Sequence, residues 1–173
     1  MKRDKVLLVD ASDRLLGEMD KWQAHRKGVL HRAFSVFISN DRDQLLLQQR
    51  AAGKYHSPLL WTNAACSHQQ QGESNIEAGA RRLHFEMGLR VRLTEAFHFI
   101  YKASLDRGLT EHEFDYVLVG KTNRDPVINT DEVNRFRWVS LPDVRAELAE
   151  KPQRFTPWFQ LIFERFYRYA TAE

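Results

Sequence analysis

The chain has 173 residues, 43% hydrophobic and 28% charged, with a net charge of +3 and one cysteine. That length suffices for one domain with a sizeable core, and the balance excludes a disordered chain, while a lone cysteine excludes an internal disulfide. Basic residues open the chain, but only the four apolar residues Val6 to Val9 follow together, too few for a secretory signal or a membrane span, so the expectation is one cytoplasmic domain over 1–173.

In chain order, "KVLLVD" reads as a short strand. "HRAFSVFISN" alternates, with Phe34, Val36 and Ile38 on one face, which predicts a half-buried strand. "NDRDQ" reads as a hairpin turn, "LLLQQR" as the returning strand and "WTNAACSH" as extended. Ser74 and Glu77 form a capping box ahead of an apolar stripe of Ile76, Ala80, Leu83 and Met87, and Gly88 stops that helix. "VRLTEAFHFIYKA" and "EHEFDYVLVGKT" read as two long strands joined by a loop around Asp106–Thr110. "RFRWVSL" is a further strand, and "LPDVRAELAE" a helix with Pro142 in its first turn. A last helix starts at Thr156–Pro157 and carries Trp158, Leu161, Ile162, Phe166 and Tyr169. Strands lead, a helix interrupts, strands resume and helices close, the order of a mixed α/β (α+β) sandwich.

Several residues could do chemistry. Cys66 stands two residues before His68, and a thiol there is a nucleophile, a metal ligand, an acid–base group or inert filling. Period two puts Glu111 and Glu113 on one strand face and His112 on the other. Two such acids either sit at a solvent-facing strand end or share a cation that offsets their repulsion. His25, His31 and His68 could complete a nitrogen and oxygen set suited to zinc, manganese or iron(II). Arg82 and Glu86 lie one turn apart on one helix face, as a surface ion pair or as a phosphate and magnesium pair. Lys21, Arg50 and Lys54, placed in loops and at a strand end, are solvated cations or a diphosphate clamp. Trp61, Trp138 and Phe37 read as core, while Trp158 and Tyr101 are packing residues or, respectively, a π face for a cation and a proton-relay phenol.

Taken together, "TNAACSH", "EHE" and "RFTPWFQ", in this order, resemble the type I isopentenyl-diphosphate isomerases, on the Nudix fold. The resemblance spans nearly the whole chain. The segment from Ser67 to Leu89 also resembles a damaged Nudix box. Glu73, Arg81, Leu83, Glu86, Gly88 and Leu89 match it, Ser67 replaces its first glycine, and Arg82 and Phe85 replace two glutamates. Nudix hydrolases use those carboxylates to gather metals around a pyrophosphate, so their loss argues against hydrolysis. Members of the isomerase family often read C-G-H-P, whereas this chain reads Cys66-Ser67-His68-Gln69.

The resemblance implies a Nudix-type mixed sheet sandwiched between helices. It also implies conversion of isopentenyl diphosphate to dimethylallyl diphosphate through a tertiary carbocation-like state. By resemblance Cys66 and Glu113 are the acid–base pair, assisted by Tyr101, and Trp158 stabilises the cation. His25, His31, His68, Glu111 and Glu113 would bind one divalent metal, manganese or zinc. Glu86 would bind magnesium shared with the diphosphate, and Lys21, Arg50, Lys54 and Arg82 would neutralise that group. The expected partner is the isoprenyl diphosphate alone, with no nucleic acid and no membrane, on a monomeric protein. The rivals are a Nudix pyrophosphohydrolase and a non-catalytic metal-binding or thiol-sensing module.

Overall fold

The computed structural model describes residues 4–172; Lys2 and Arg3, which open the chain, lie outside them, as do the extreme ends of the expected 1–173 domain. Among the described residues nine strands form one mixed sheet, and four α-helices pack with it.

Strands β1 (Lys5–Val9) and β2 (Leu15–Asp20) form an antiparallel pair. Asp20 then caps α1 (Lys21–Lys27), its carboxylate accepting from the Gln23 N–H, and Gly28 ends the helix in left-handed backbone at φ 63°. Neither β2 nor α1 is among the elements expected from the residue pattern. Lys21, expected in a loop, is the first residue of this helix.

The middle of the sheet is β3 (His31–Ser39). It runs parallel to β8 (Thr110–Lys121), from His31 opposite Glu113 to Ser39 opposite Lys121. β7 (Thr94–Ser104) lies antiparallel on β8. β4 (Gln44–Arg50) pairs along its length with β9 (Val133–Ser140) but meets β3 only at Ser39–Leu45. Two limbs therefore part from that contact, and the wedge between them opens toward His31 and Arg50. Two short strands fill it. β5 (Trp61–Thr62) lies on β4, and β6 (Ala65–Ser67) lies on β3 with Cys66 opposite Ser35. The break between them comes at Asn63, whose amide donates to the carbonyls of Val36 and Ala65.

β3 is buried on both faces, not one, because a helix covers each side. Phe34, Val36 and Ile38 pack with Leu83 and Met87 of α2 (Asn75–Met87). Phe37 points the other way and stacks on Phe159 and Phe166 of α4 (Pro157–Thr171), with ring centroids 6.1 and 4.3 Å apart. Each fully buried phenylalanine contributes roughly 1.5–3 kcal/mol. Gly79 lets α2 close on the sheet, since a Cβ there would stand 2.4 Å from Leu118 Cδ1. The capping box of Ser74 and Glu77 is present, and Gly88 ends α2 in left-handed backbone. Ser140 caps α3 (Leu141–Glu150). The buried face of α4 is Trp158, Phe159, Ile162, Phe163 and Phe166. Leu161 and Tyr169, on the same helix, are each 45% exposed because they fall outside the arc those five residues define. Among the described residues no helix is long and apolar enough to cross a membrane.

Candidate active site

The wedge holds a pocket of about 490 Å³, measured out to its open mouth. His68 and Glu113 of its lining belong to a cluster of three histidines and one acid. His25 comes from α1, His31 opens β3, His68 follows β6 and Glu113 lies on β8, opposite His31 in the parallel register. Donor atoms of the four lie within 4.8 Å of one another.

Backbone carbonyls set the tautomers of two of these rings. His25 Nδ1–H donates to the Lys21 carbonyl at 2.7 Å, and His31 Nδ1–H to that of Val29 at 2.8 Å. A carbonyl only accepts, so each Nδ1 carries a proton and each Nε2 is the atom left to face the cluster. Both Nε2 atoms are buried and make no hydrogen bond within the protein, that of His31 standing 3.4 Å from Glu113 Oε1. His68 Nε2 lies 3.1 Å from Glu113 Oε1. Burial pushes His68 down to about 3 and also lowers His25, so both rings are neutral at pH 7, the form that binds metal. Three such nitrogens and one carboxylate fit a divalent cation of borderline character.

Glu111, expected as a further ligand, lies outside this four-residue group because its carboxylate faces Tyr101 instead. Tyr101 pairs with Glu113 across β7 and β8. Its hydroxyl is 2.6 Å from Glu113 Oε2 and 2.9 Å from Glu111 Oε2. One phenolic proton cannot serve both carboxylates. Burial, and then the charge of Glu113, raise Glu111 well above the usual carboxylate range. Burial opposes ionisation of Glu113 too, but the His31 and His68 imidazoles hold it well below that range. The self-consistent chain is a protonated Glu111 donating to Tyr101, which donates to an ionised Glu113. A third buried acid on the same face, Asp115, accepts from Ser35 Oγ at 3.2 Å. The E-x-E-x-D spacing of Glu111, Glu113 and Asp115 carries that signal.

Cys66 lines the same pocket, and burial pushes its thiol far up, so it rests protonated. Trp158, 2% exposed in the first turn of α4, also lines it. The Arg50 guanidinium lies over the indole, 5.1 Å from its centroid, so this ring already engages a cation.

All four expected cations, Lys21, Arg50, Lys54 and Arg82, line the pocket. Arg82 and Glu86 are paired at 2.8 Å, but the pair is not on the surface, since Glu86 is 4% exposed. Gln48 donates to the other Glu86 oxygen at 3.0 Å. Glu132 bridges Arg82, at 2.7 Å, and Lys54. Arg50 spends two donors on the chain itself, to the carbonyls of Ser57 at 3.2 Å and His56 at 3.1 Å. Tyr55, His56 and Ser67 also line the pocket, and sequence reasoning missed both Glu132 and the Tyr55–His56 pair. Tyr55 and His56 follow Lys54 directly, which was the available signal; Glu132, in "TDEV", carried none.

Comparison with known proteins agrees with this geometry. The NUDIX domain family matches residues 29–159. An isopentenyl-diphosphate Delta-isomerase of Pectobacterium atrosepticum is 48% identical over 99% of this chain and 96% of its own. One of two such isomerases of Aromatoleum aromaticum is 46% identical over 94% and 92%. Among solved structures, a Deinococcus radiodurans protein superposes with a TM-score of 0.80 at 18% identity, covering 95% of this chain and 100% of that one. A MutT protein from Methanosarcina mazei reaches 0.67 at 20% identity, over 82% and 96%. These two likenesses establish the fold, and the near-full-length relatives go further: the chain belongs to the isopentenyl-diphosphate Delta-isomerase family, built on the NUDIX domain.

Proposed function

We infer that the chain converts isopentenyl diphosphate to dimethylallyl diphosphate, the activity for which its relatives are named. The observation that carries the reading is one pocket in which Cys66, Tyr101, Glu113 and Trp158 meet Lys21, Arg50, Lys54 and Arg82. The apolar end of the substrate faces the first set, and its diphosphate faces the second.

The reaction moves a double bond. One proton is added at the terminal carbon and another leaves C2, through a tertiary cation-like state. An unactivated alkene is a weak base, so the site must hold a ready donor, a ready acceptor and a shield against water. Cys66 and Glu113 form the acid–base pair, one giving a proton to the terminal carbon and the other taking one from C2. In the reverse direction their tasks exchange. Tyr101 links Glu113 to the protonated Glu111 and so gives that carboxylate a route for its proton. The Trp158 indole faces the developing positive charge. The diphosphate does not react; its binding energy orients the small apolar end.

His25, His31, His68 and Glu113, with Glu111 beside them, would hold one divalent metal, manganese or zinc, which lowers the proton affinity of the carboxylate it binds. Glu86 would share a magnesium ion with the diphosphate once Arg82 turns to that anion. A free thiol in proton transfer needs a reducing compartment, which supports a cytoplasmic setting. The continuous sheet supports one domain over 1–173, acting as a monomer on a small diphosphate ester.

Hydrolysis fits the pocket less well. Of the two glutamates the box lacks, one is replaced by Arg82, tied to Glu86 and Glu132, and the other by Phe85, 51% exposed and away from the pocket lining. Proton NMR of the protein with isopentenyl diphosphate and magnesium tests the reading. New dimethylallyl methyl signals without released phosphate support it, and phosphate release from an unchanged carbon skeleton contradicts it.

A further inference from the structure

The segment between β4 and β5 is a built structure rather than slack chain. Ser57 and Leu59 both adopt left-handed backbone, at φ 49° and 60°, without being glycine. Arg50 donates to the carbonyls of His56 and Ser57, and Asp106 accepts from the Ser57 N–H at 3.1 Å. The Leu59 N–H donates to the Arg50 carbonyl. These contacts spend donors of a pocket arginine to fix the two side chains just before them, Tyr55 and His56.

Tyr55 is held by its ring and by nothing else. His56 meets it edge-on at 4.4 Å between centroids, Trp22 lies at 5.9 Å, and Lys21 Nζ stands over it at 5.2 Å. Its hydroxyl is buried with no protein partner, and the residue lines the pocket. A phenylalanine would make every one of those ring contacts without stranding a polar atom. The oxygen is therefore what remains to be explained, in a residue that lines the space a ligand would take.

We propose that the Tyr55 hydroxyl is a further substrate-binding group, donating a hydrogen bond to the diphosphate oxygens nearest the carbon chain. This rests on the isomerase reading for the identity of the ester, and on the pocket alone for the anion. Lys21 stands over the Tyr55 ring, and Arg50, Glu111, Glu113 and Cys66 line the same pocket, so the phenol has both cationic and acid–base residues in its pocket. The diphosphate meets the carbon chain between those two sets. Burial above all pushes the phenol upward, so at neutral pH it is a donor.

The oxygen it contacts bears the same charge in substrate and transition state. Loss of the bond should thus appear as weaker binding rather than slower chemistry. The test is Tyr55→Phe, which keeps the ring. KM for isopentenyl diphosphate should rise about 10-fold, with the loss falling on KM rather than kcat. Calorimetry in a Cys66→Ala background, where turnover is blocked, should show the same weakening for isopentenyl diphosphate and for inorganic diphosphate. Unchanged affinity for both ligands overturns the proposal. So does a 10-fold fall in kcat at constant KM, which would put Tyr55 in the proton path. If neither form isomerises yet Tyr55→Phe still weakens inorganic diphosphate, the anion contact stands and the isomerase reading falls.

Discussion

Tyr101 donates to Glu113 across 2.6 Å and rests 2.9 Å from Glu111, so one phenol joins these two acids of β8 into a single proton-sharing unit. The antiparallel register of β7 and β8 sets Tyr101 opposite Glu113, and the period of β8 brings Glu111 to the same face. Tyr101→Phe keeps the ring and removes the bridge. Hydrogen bonds to charged groups are worth about 1.5–3 kcal/mol, so kcat should fall roughly 10- to 100-fold. Bound metal should be unchanged, because Tyr101 is not among the clustered donors. Steady-state kinetics with elemental analysis checks both, and an unaltered kcat would remove Tyr101 from the proton path.

Cys66→Ala should lower kcat by about 10³-fold or more while leaving the circular dichroism spectrum and metal content as they were. The thiol is outside the four-residue cluster, and alanine fits a small β-strand position. Near-normal turnover by a folded Cys66→Ala protein would end its role.

His25→Ala and His68→Ala each remove one nitrogen from the cluster. Both should lose bound metal and activity together, with metal affinity down at least 10-fold. Full occupancy in either variant would exclude that histidine as a ligand.

His56 gives a pH-dependent stability with a definite sign. Burial, reinforced by Arg50, takes its folded value from 6.5 to about 2. A depressed histidine keeps its proton in the unfolded chain when the folded one has lost it. Its contribution is therefore full above pH 6.5 and is lost as pH falls toward 2. Between pH 7 and pH 5 the metal-free protein should lose about 2 kcal/mol through this group. Urea unfolding at both values should show His56→Gln losing less by that amount, and equal losses would contradict it.

Much of this was legible in the sequence, for local reasons. The capping box of Ser74 and Glu77 and the stop at Gly88 are chain-local chemistry, so α2 was read to its ends. The period-two pair Glu111 and Glu113 reported its own face. β2 was silent because Leu15 and Leu16, on an edge strand, are 55% and 68% exposed and alternate with nothing. The seven-residue α1 buries only Ala24 and His25, too few for a helical period. β3 looked half-buried because Ser35, a polar residue, is buried against Asp115 on the second face. Period and spacing did not bring Lys21, Cys66, Tyr101 and Trp158 together; resemblance did. Tyr55, His56 and Glu132 were missed because their places are set by Arg50, Lys54 and Arg82 across the fold.

The central claim is that Cys66 and Glu113 exchange protons with carbon. Turnover of isopentenyl diphosphate in D2O, followed by proton and deuterium NMR with a parallel phosphate assay, measures it directly. Acid–base groups that re-equilibrate with solvent should place deuterium on a methyl group of dimethylallyl diphosphate, and continued turnover should spread label through the reverse reaction. Phosphate release without carbon-bound deuterium, or product formed with no deuterium at all, would contradict it.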